Sequence, residues 1–317
     1  MEKLLYPGSF DPWHAGHQFI YDSACELVGK ENVFIGLAIN PGKIKPGDYF
    51  SDHIKKAEFL KWTMAPLNAN IVIIGKTSVE MCREIGAKFM VRGLRPSYDL
   101  PQEAALDFWN RRVSDFTVKT LFFMPPEDLN HLSSSVVKDL IRFDLSKNLE
   151  EFINPYILER WKNGRIPENS LYFGPKCVGK STYCEGLAIS NNTKILDCDK
   201  EIWKFFSKNK AIGICKRMKN IIEKQDFRSY PEIMDEIAFQ INWEEFLRPN
   251  VSHEASALGM FFKYIPASVV GKFQLIKINT YPEIREERAR KRKCWETLKK
   301  YDFFYQDPPF YDKKIFV

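Results

Sequence analysis

A chain of 317 residues is too long for one ordinary hydrophobic core, so its length favours two domains. The composition, 44% hydrophobic and 28% charged, excludes a disordered or fibrous protein, and no apolar run approaches the roughly 18 residues that a membrane-spanning helix needs. The net charge of +6 is concentrated in residues 281–300, where eight Lys and Arg face four Glu. Because this excess is local, it does not favour nucleic acid as a partner.

The cysteines and the N-terminus indicate a cellular compartment. The seven cysteines are an odd number and contain no C-x-x-C pair, a usage typical of reduced thiols, without a disulfide framework or a zinc site. The first residues enter a predicted strand at once and leave no room for a signal peptide. We therefore expect a cytoplasmic protein that does not associate with membranes.

The stretch Tyr6–Ile20 (YPGSFDPWHAGHQFI) concentrates the residues suited to chemistry. A buried strand is predicted before it, and apolar residues at helical spacing predict a helix from about Ala15. The turn between strand and helix carries Ser9, His14 and His17. A helix N-terminus exposes unpaired N–H groups and a partial positive charge, so it favours phosphate. Two histidines at i and i+3 on the first turn could both face that anion.

Strands and helices are predicted to alternate through the rest of the first half. The predicted strands are Val33–Ile39, Ile71–Ile74, Phe89–Val91 and Val118–Met124, and helices are predicted after Ser51, over Val79–Ile85, after Arg95 and from Ser133–Ser135. This alternation is typical of a Rossmann-like, doubly wound parallel sheet. Ligands of such sheets bind beyond the carboxyl ends of the strands, where Lys43, Arg92 and Arg95 are expected. The serines could cap their helix or donate to a bound triphosphate.

Residues 164–169 are short and polar and contain both Gly and Pro, which is typical of a linker. We therefore expect a first domain over residues 1–163 and a second over residues 170–317. Both are predicted to be α/β domains, the first with a nucleotidyltransferase fold and the second with a P-loop kinase fold.

The second domain is predicted to open with a phosphate-binding loop. A strand at Ser170–Phe173 leads into Gly174–Ser181 (GPKCVGKS), which matches G-x-x-x-x-G-K-[ST] at every fixed position. In such a loop the backbone N–H groups surround the β-phosphate, Lys180 neutralises the β/γ charge and the Ser181 hydroxyl binds Mg²⁺.

Further charged residues follow in the second half. Asp197 and Asp199 end a predicted strand, where they could take a proton from a hydroxyl or hold Mg²⁺ through water, or else form a solvated acidic turn. Arg288 and Arg292 lie at i and i+4 on a predicted helix, whose arginines could close over ATP.

The first half resembles bacterial phosphopantetheine adenylyltransferases over about residues 1–162. The resemblance lies in YPGSFDPWHAGH, VRGLRPSYDLPQE and LSSSVVKDL, which occur in this order and spacing. The opening segment also resembles the H-x-G-H signature of the nucleotidyltransferase superfamily, whose members transfer AMP from ATP. The resemblance implies that an acceptor phosphate attacks the α-phosphorus of ATP in line and expels pyrophosphate, with Mg²⁺ held mostly by ATP oxygens and water.

This resemblance also implies roles for particular residues. The implied ATP site comprises Ser9, Phe10, His14, His17, Gly93, Arg95, Glu103, Ser133, Ser134 and Ser135. The implied acceptor site comprises Ser9, Lys43 and Arg92, and His17, Lys43 and Arg92 are the implied catalytic donors. His14 stands where this family usually has Thr. A histidine at this position resembles the nicotinamide mononucleotide adenylyltransferases instead.

The second half resembles dephospho-coenzyme A kinases. The segment ILDCD resembles the I-D-A-D segment of that family, and Pro282-Glu283 with the two following arginines resembles its lid. The implied catalytic residues are Lys180 and Asp199, with Asp199 as the base. The implied ATP site comprises Gly174, Gly179, Lys180, Ser181, Thr182, Arg288 and Arg292, with Mg²⁺ at Ser181 and Asp197 as a further candidate ligand. The His-Pro pair of that family is absent, which leaves the acceptor open.

These patterns lead to three hypotheses. The first is a bifunctional enzyme of coenzyme A synthesis, whose small-molecule substrates are ATP, phosphopantetheine and dephospho-coenzyme A. The second joins a nicotinamide mononucleotide adenylyltransferase to a ribosylnicotinamide kinase. The third is a nucleotide-sensing regulator with little turnover. The sequence leaves a homo-oligomer open.

Overall fold

Two parallel β-sheets in separate parts of the chain form the framework of the protein. The computed structural model describes residues 2–38, 52–94, 100–143, 149–191, 194–208, 212–224, 229–255, 261–302, 305 and 307–317. The chain divides into two units, Met1–Arg165 and Ile166–Val317, and the division falls within residues 164–169. Within the described residues each unit contains a five-stranded parallel sheet, so the predicted α/β fold class is confirmed.

The first unit contains a sheet with strand order β3-β2-β1-β4-β5. Its strands are β1 (Lys3–Gly8), β2 (Val33–Leu37), β3 (Asn70–Ile73), β4 (Ala87–Gly93) and β5 (Lys119–Phe123). Its helices are α1 (Ala15–Val28), α2 (His53–Thr63), α3 (Ser78–Ile85), α4 (Leu100–Val113), α5 (Ser134–Arg142) and α6 (Pro155–Asn163), with 3-10 turns at Lys30–Asn32, Ala65–Leu67 and Glu127–Leu129. The order of the strands reverses between β1 and β4, the place where sheets of this kind bind ligands.

The alternation of side chains along β1 shows that helices cover both faces of this sheet. Leu4 belongs to an apolar cluster with residues of α1, α2 and α6, including Ile20, Leu60 and Ile157. The next residue, Leu5, belongs to a second cluster, which includes residues of α3. Because successive side chains of a strand point to opposite faces, the two clusters lie on opposite sides, as in a doubly wound sheet.

Polar side chains fix where several helices begin. The side chain of Asp52 accepts a hydrogen bond from the backbone N–H of Ile54 at 2.8 Å and caps α2. Ser51, after which this helix is predicted to begin, lies outside the described residues. At α3, Thr77 Oγ1 accepts from the Glu80 backbone N–H at 3.2 Å, while Glu80 Oε2 accepts from the Thr77 N–H at 2.9 Å. This reciprocal pair is a capping box, which places the helix start one residue before the predicted Val79.

The second unit contains a sheet with strand order β10-β9-β6-β8-β7. Its strands are β6 (Ser170–Phe173), β7 (Ile195–Asp197), β8 (Ser252–Ala255), β9 (Gln274–Asn279) and β10 (Lys313–Phe316). Its helices are α7 (Lys180–Ser190), α8 (Cys198–Lys208), α9 (Ile212–Lys224), α10 (Tyr230–Phe239), α11 (Trp243–Phe246), α12 (Ala267–Val270), α13 (Pro282–Lys291) and α14 (Trp295–Asp302), with a 3-10 turn at Phe262–Tyr264. The aromatic C-terminal segment, for which the sequence suggested no role, supplies the edge strand β10.

The surface of the first unit carries exposed apolar side chains on α4. Phe108 and Trp109 are 56% and 61% exposed, and their rings contact each other with centroids 5.5 Å apart.

None of the helices in the described parts of the chain combines the length and apolarity needed to cross a bilayer.

Candidate active sites

The first unit contains a cavity of about 560 Å³ beyond the carboxyl ends of β1 and β4. The predicted site residues that line it are Ser9, Phe10, His14, His17, Arg92, Gly93, Glu103, Ser133 and Ser134. Ser135 is exposed and is not among the lining residues. Lys43 and Arg95 lie outside the described residues. Residues widely spaced in the sequence therefore meet at one place, the strand-order reversal.

His14 and His17 stack against each other at the N-terminus of α1. Their ring centroids are 3.7 Å apart with an interplanar angle of 28°, and His14 is only 4% exposed. The His17 Nδ1 accepts a hydrogen bond from the His14 backbone N–H at 3.3 Å. Because Nδ1 is the acceptor, a neutral His17 ring carries its proton on Nε2. His17 therefore combines a donor nitrogen with the partial positive charge of the helix terminus.

Close packing sets the shape of the turn that carries these histidines. The Phe10 ring is buried and lies 4.9 Å from Tyr6, 5.0 Å from Trp13 and 5.0 Å from His17 between ring centroids. A Cβ at Gly16 would lie 3.1 Å from Cε1 of His14, so only glycine fits there without displacing the imidazole. The turn is held by an aromatic cluster rather than by backbone geometry alone.

Glu103 binds Arg92 at two points across the cavity. Glu103 Oε2 accepts from Nε of Arg92 at 2.8 Å, and Oε1 accepts from Nη2 at 2.5 Å. Arg92 Nη1 donates to the Pro7 carbonyl oxygen at 3.0 Å. Burial, partly offset by the charge of Arg92, raises the pKa of the adjacent Tyr6 phenol. The two bonds to Glu103 and the bond to Pro7 together fix the position and plane of the Arg92 guanidinium.

The hydroxyls of Ser133 and Ser134 both form hydrogen bonds within the protein. Ser133 is the N-cap of α5, and its Oγ accepts from the Val136 backbone N–H at 3.2 Å. Ser134 Oγ donates to the Pro12 carbonyl oxygen at 3.0 Å and joins α5 to the histidine turn. Because α5 begins at this cavity as α1 does, two helix N-termini converge there, an arrangement that attracts anions.

Asp11, which the sequence analysis did not single out, joins three helices to the same turn. Its carboxylate pairs with Lys56 of α2 at 3.0 Å and Lys138 of α5 at 2.7 Å, and accepts from Nε1 of Trp161 of α6 at 2.8 Å. Burial alone would raise the pKa of Asp11, but the hydrogen bond and charge of Lys138, together with Trp161 and Lys56, lower it below its usual value. These partners are distant in the sequence, so no local pattern could reveal them.

In the second unit, Gly174–Ser181 spans the junction of β6 and α7, with residues 174–179 connecting the two elements as predicted. Gly179 has a φ of 95° and is the N-cap of α7, which starts at Lys180. The positive φ favours glycine at position 179, and a Cβ there would lie 2.6 Å from Nη1 of Arg288, whose side chain would have to shift. Lys180 is 7% exposed, and the neighbouring Thr182 is in the first turn of α7.

The carboxylate that contacts Ser181 comes from Glu254, on β8, an interior strand between β6 and β7. Ser181 Oγ donates to Glu254 Oε1 at 3.1 Å. The second oxygen, Oε2, is buried without a hydrogen-bond partner, and the residue is 6% exposed. A buried carboxylate oxygen beside a serine hydroxyl fits Mg²⁺, which prefers hard oxygen ligands. The sequence predicts a strand over Val251–Glu254, but this pattern does not distinguish Glu254 from its neighbours.

The two aspartates of the DCD segment lie in different environments. Asp197 ends β7, where its carboxylate pairs with Lys200 Nζ at 3.0 Å and accepts from the Lys200 backbone N–H at 3.2 Å. Asp199 is half-buried in the first turn of α8. Across the described residues, no group of three or more His, Cys, Asp or Glu side chains is arranged to hold a metal ion.

Two arginines of α13 contact the loop between β6 and α7. Arg288 Nη1 donates to the Val178 carbonyl oxygen at 2.8 Å, and Arg285 Nε donates to the Lys176 carbonyl oxygen at 2.8 Å. Arg285, which the sequence analysis did not predict, also holds the Asp302 carboxylate with two bonds of 2.7 and 2.6 Å. The predicted Arg292 lies exposed at the C-cap of the helix.

The first unit is similar to known proteins in sequence. The cytidylyltransferase-like family model matches residues 5–140. A phosphopantetheine adenylyltransferase of Streptococcus agalactiae is 34% identical over 146 residues, which are 46% of this chain and 87% of that protein.

Similarities to solved structures are weaker. A shikimate kinase from Aquifex aeolicus is 20% identical with a TM-score of 0.27, over 46% of this chain and 85% of the kinase chain. A NadR protein in complex with NR is 12% identical with a TM-score of 0.33, over 94% of this chain and 87% of that chain. At these TM-scores neither likeness supports an assignment.

Proposed function

Because the chain belongs, through its N-terminal half, to the phosphopantetheine adenylyltransferase family, we propose that its first unit transfers AMP from ATP to 4′-phosphopantetheine and releases pyrophosphate. The observation that supports this most directly is the cavity where β1 and β4 diverge. It brings together the stacked histidines, Arg92 and the N-termini of α1 and α5. This is a site for phosphates, with donors on more than one side.

The proposed mechanism needs positioning rather than a covalent intermediate. The acceptor phosphate attacks the α-phosphorus in line, and pyrophosphate leaves. Arg92 holds the acceptor phosphate in the orientation set by Glu103, while the Nε2 proton of His17 and the α1 terminus stabilise the charge that develops on the phosphates. Lys43 keeps its proposed role as a bridge between the acceptor phosphate and the α-phosphate.

The second unit is proposed to be an ATP-dependent kinase of the P-loop class. The support is the Gly174–Ser181 loop between β6 and α7, with Lys180 at the helix start and Arg288 against Gly179. In this proposal the loop binds the β-phosphate, Lys180 neutralises the β/γ charge and Arg288 reaches the transferred phosphoryl group. Ser181 and Glu254 would hold Mg²⁺, which when bound neutralises charge on the phosphate oxygens.

Dephospho-coenzyme A is the proposed acceptor of the kinase. It is the product of the reaction proposed for the first unit, and its ribose 3′-hydroxyl needs a base. Asp199, in the first turn of α8, is the proposed base, because it occupies the position of the second aspartate in the resemblance of ILDCD to the I-D-A-D segment. The resulting protein would catalyse two consecutive steps of coenzyme A synthesis.

Nicotinamide mononucleotide is the competing acceptor, and the buried His14 is the feature that favours it. An acceptor panel with ATP, monitored by pyrophosphate release, separates the two. We expect turnover with 4′-phosphopantetheine. Turnover with nicotinamide mononucleotide alone would contradict the proposal, and nucleotide binding without turnover would favour a sensor.

Two variants test whether each unit carries one of the two proposed activities. His17→Ala is expected to lower adenylyl transfer by about 10²–10³-fold, because it removes one donor to the developing charge, and to leave phosphorylation of added dephospho-coenzyme A unchanged. Lys180→Ala should do the reverse. Both are measured on the full chain by separating the nucleotide products. A folded variant that has lost both activities would contradict two independent sites.

A further inference from the structure

Two cysteines distant in the sequence meet beside the phosphate-binding loop. Cys177 lies within the loop with a φ of 66°, and Cys294 lies three residues after α13. Their sulfur atoms are 3.9 Å apart. Both side chains are partly exposed, so a small oxidant in solution can reach them. A disulfide needs the sulfurs about 2 Å apart, a distance that rotation of the two side chains would have to close.

The contact is part of a larger junction between the loop and α13. The carbonyl oxygens on either side of Cys177, those of Lys176 and Val178, accept from Arg285 and Arg288. The backbone N–H of Cys294 donates to Ala289 O at 3.0 Å, which holds Cys294 against the end of the helix. Three successive loop residues are thus in contact with one helix and the segment that follows it.

We propose that Cys177 and Cys294 form a peroxide-sensitive modification site, at which a disulfide fastens the phosphate-binding loop to the segment that follows α13. One thiol, as its thiolate, attacks an oxygen of the peroxide; the O–O bond breaks, and the leaving hydroxide takes the thiol proton to become water. The sulfenic acid formed is attacked by the second sulfur. Its S–O bond breaks, and a second water leaves with the second proton. Two thiols lose two electrons, and one hydrogen peroxide becomes two waters.

The consequence for nucleotide rests on the proposed kinase function. Arg288 donates to the loop itself through Nη1, and in this proposal the end of α13 shifts relative to the loop when the guanidinium turns towards a bound phosphate. A disulfide two residues before Gly179 holds that helix end on the loop and restricts this movement. We expect ATP to bind the oxidised second unit about tenfold more weakly, as when one charge-assisted hydrogen bond is lost.

The first test is chemical and independent of ATP. The reduced full-length protein is treated with hydrogen peroxide, and its non-reduced peptides are identified by mass spectrometry. The main cross-linked peptide is expected to join Cys177 to Cys294, and it should be absent in Cys294→Ser but present in the control Cys25→Ser. Burial and the neighbouring Cys294 raise the pKa of the Cys177 thiol, so cross-linking should be faster at pH 9 than at pH 7. Separate sulfinic acids, or random pairing, would overturn the proposal.

The second test reads the loop directly. Hydrogen–deuterium exchange of peptides that cover residues 174–181 is followed as Mg²⁺-ATP is added. Half-maximal protection should require about tenfold more ATP after oxidation, should recover with dithiothreitol, and should not shift in Cys294→Ser. If cross-linked protein needed the same ATP concentration for protection, the proposal that the disulfide weakens ATP binding would be overturned. If the reduced loop gains no protection from ATP while the cross-link forms, the proposed kinase function fails and the modification site stands.

Discussion

Glu103 determines what Arg92 can do at the cavity of the first unit. The two-point pair with Glu103 and the bond to the Pro7 carbonyl fix the guanidinium plane. A flexible cation in the same place would supply charge without that orientation. The contribution of the positive charge and that of its fixed orientation can therefore be measured separately.

Arg92→Ala is expected to lower kcat/KM for 4′-phosphopantetheine by about 10²–10³-fold, since in the proposed mechanism it removes a charge-assisted donor to the acceptor phosphate. Arg92→Lys should recover only part of this loss, because one ammonium cannot form the planar pair with Glu103. Pyrophosphate release at varied acceptor concentration measures both. Full activity in Arg92→Lys would show that charge alone suffices.

In the second unit, Glu254 is the buried carboxylate beside the proposed nucleotide site. Glu254→Gln removes the charge beside Ser181 but keeps the size of the side chain, so the concentration of Mg²⁺ needed for phosphoryl transfer should rise at least about tenfold. A Mg²⁺ titration of the kinase reaction measures this shift. Glu244→Gln, at an exposed carboxylate of α11, is the matched control. Equal Mg²⁺ requirements in the two variants would contradict the role of Glu254.

At the scale of elements, Asp11 holds the histidine turn against α2, α5 and α6. Its carboxylate is largely buried, and its partners come from three helices. Removing its charge leaves two lysines without their partner. The stability of this junction should therefore depend on the ionisation of one group.

Asp11→Asn is expected to destabilise the first unit by about 2 kcal/mol at pH 7, as for a partly buried charged hydrogen-bond network. Because the pKa of Asp11 is lowered on folding, its contribution is present above the unfolded-state pKa of 3.8 and is lost as the pH falls through the folded-state pKa. The difference between wild type and variant should therefore shrink below about pH 4. Hydrogen–deuterium exchange of α2, α5 and α6 measures it.

The carboxylate of Asp22 provides the control for this prediction, because it is exposed on α1 and accepts from Gln18 Nε2 of the same helix at 2.8 Å. Asp22→Asn should leave exchange in the three helices unchanged at every pH. If Asp11→Asn destabilised the unit equally at pH 7 and pH 3, ionisation of Asp11 would not be the cause.

Local patterns in the sequence predicted the elements better than the contacts between them. The periodicity of apolar residues placed most strands within one or two residues, and the glycine pattern placed the loop before Lys180. The pairings of Asp11, of Glu254 with Ser181 and of Cys177 with Cys294 join residues far apart in the chain. Such contacts can be predicted only once the order of the strands is known, because no short-range periodicity encodes them.

At the scale of the whole molecule, the two units have separate sheets. In the first unit, Leu4 and Leu5 anchor clusters on opposite faces of the sheet. In the second, Val178, Ile276 and Ile278 form a cluster of their own. At roughly 150 residues or more, each unit is long enough for an independent core.

Separate expression of residues 1–165 and 166–317 is therefore expected to give two folded proteins. The first should retain adenylyl transfer and the second phosphorylation of dephospho-coenzyme A, each within about threefold of the full chain, since no group proposed for one reaction lies in the other unit. Circular dichroism and the two product assays measure this. An unfolded fragment, or activity only on mixing, would show that the units depend on each other.

The edges of the two sheets bear on how the protein behaves at high concentration. The edge strands β3, β5, β7 and β10 contain only three to five residues. Lys119 begins β5, Lys313 and Lys314 begin β10, and all three are exposed. Short edge strands pair poorly with strands of another molecule, and the lysines of β5 and β10 add positive charge to two of the four. The described edges therefore protect the folded chain against growth into amyloid-like aggregates.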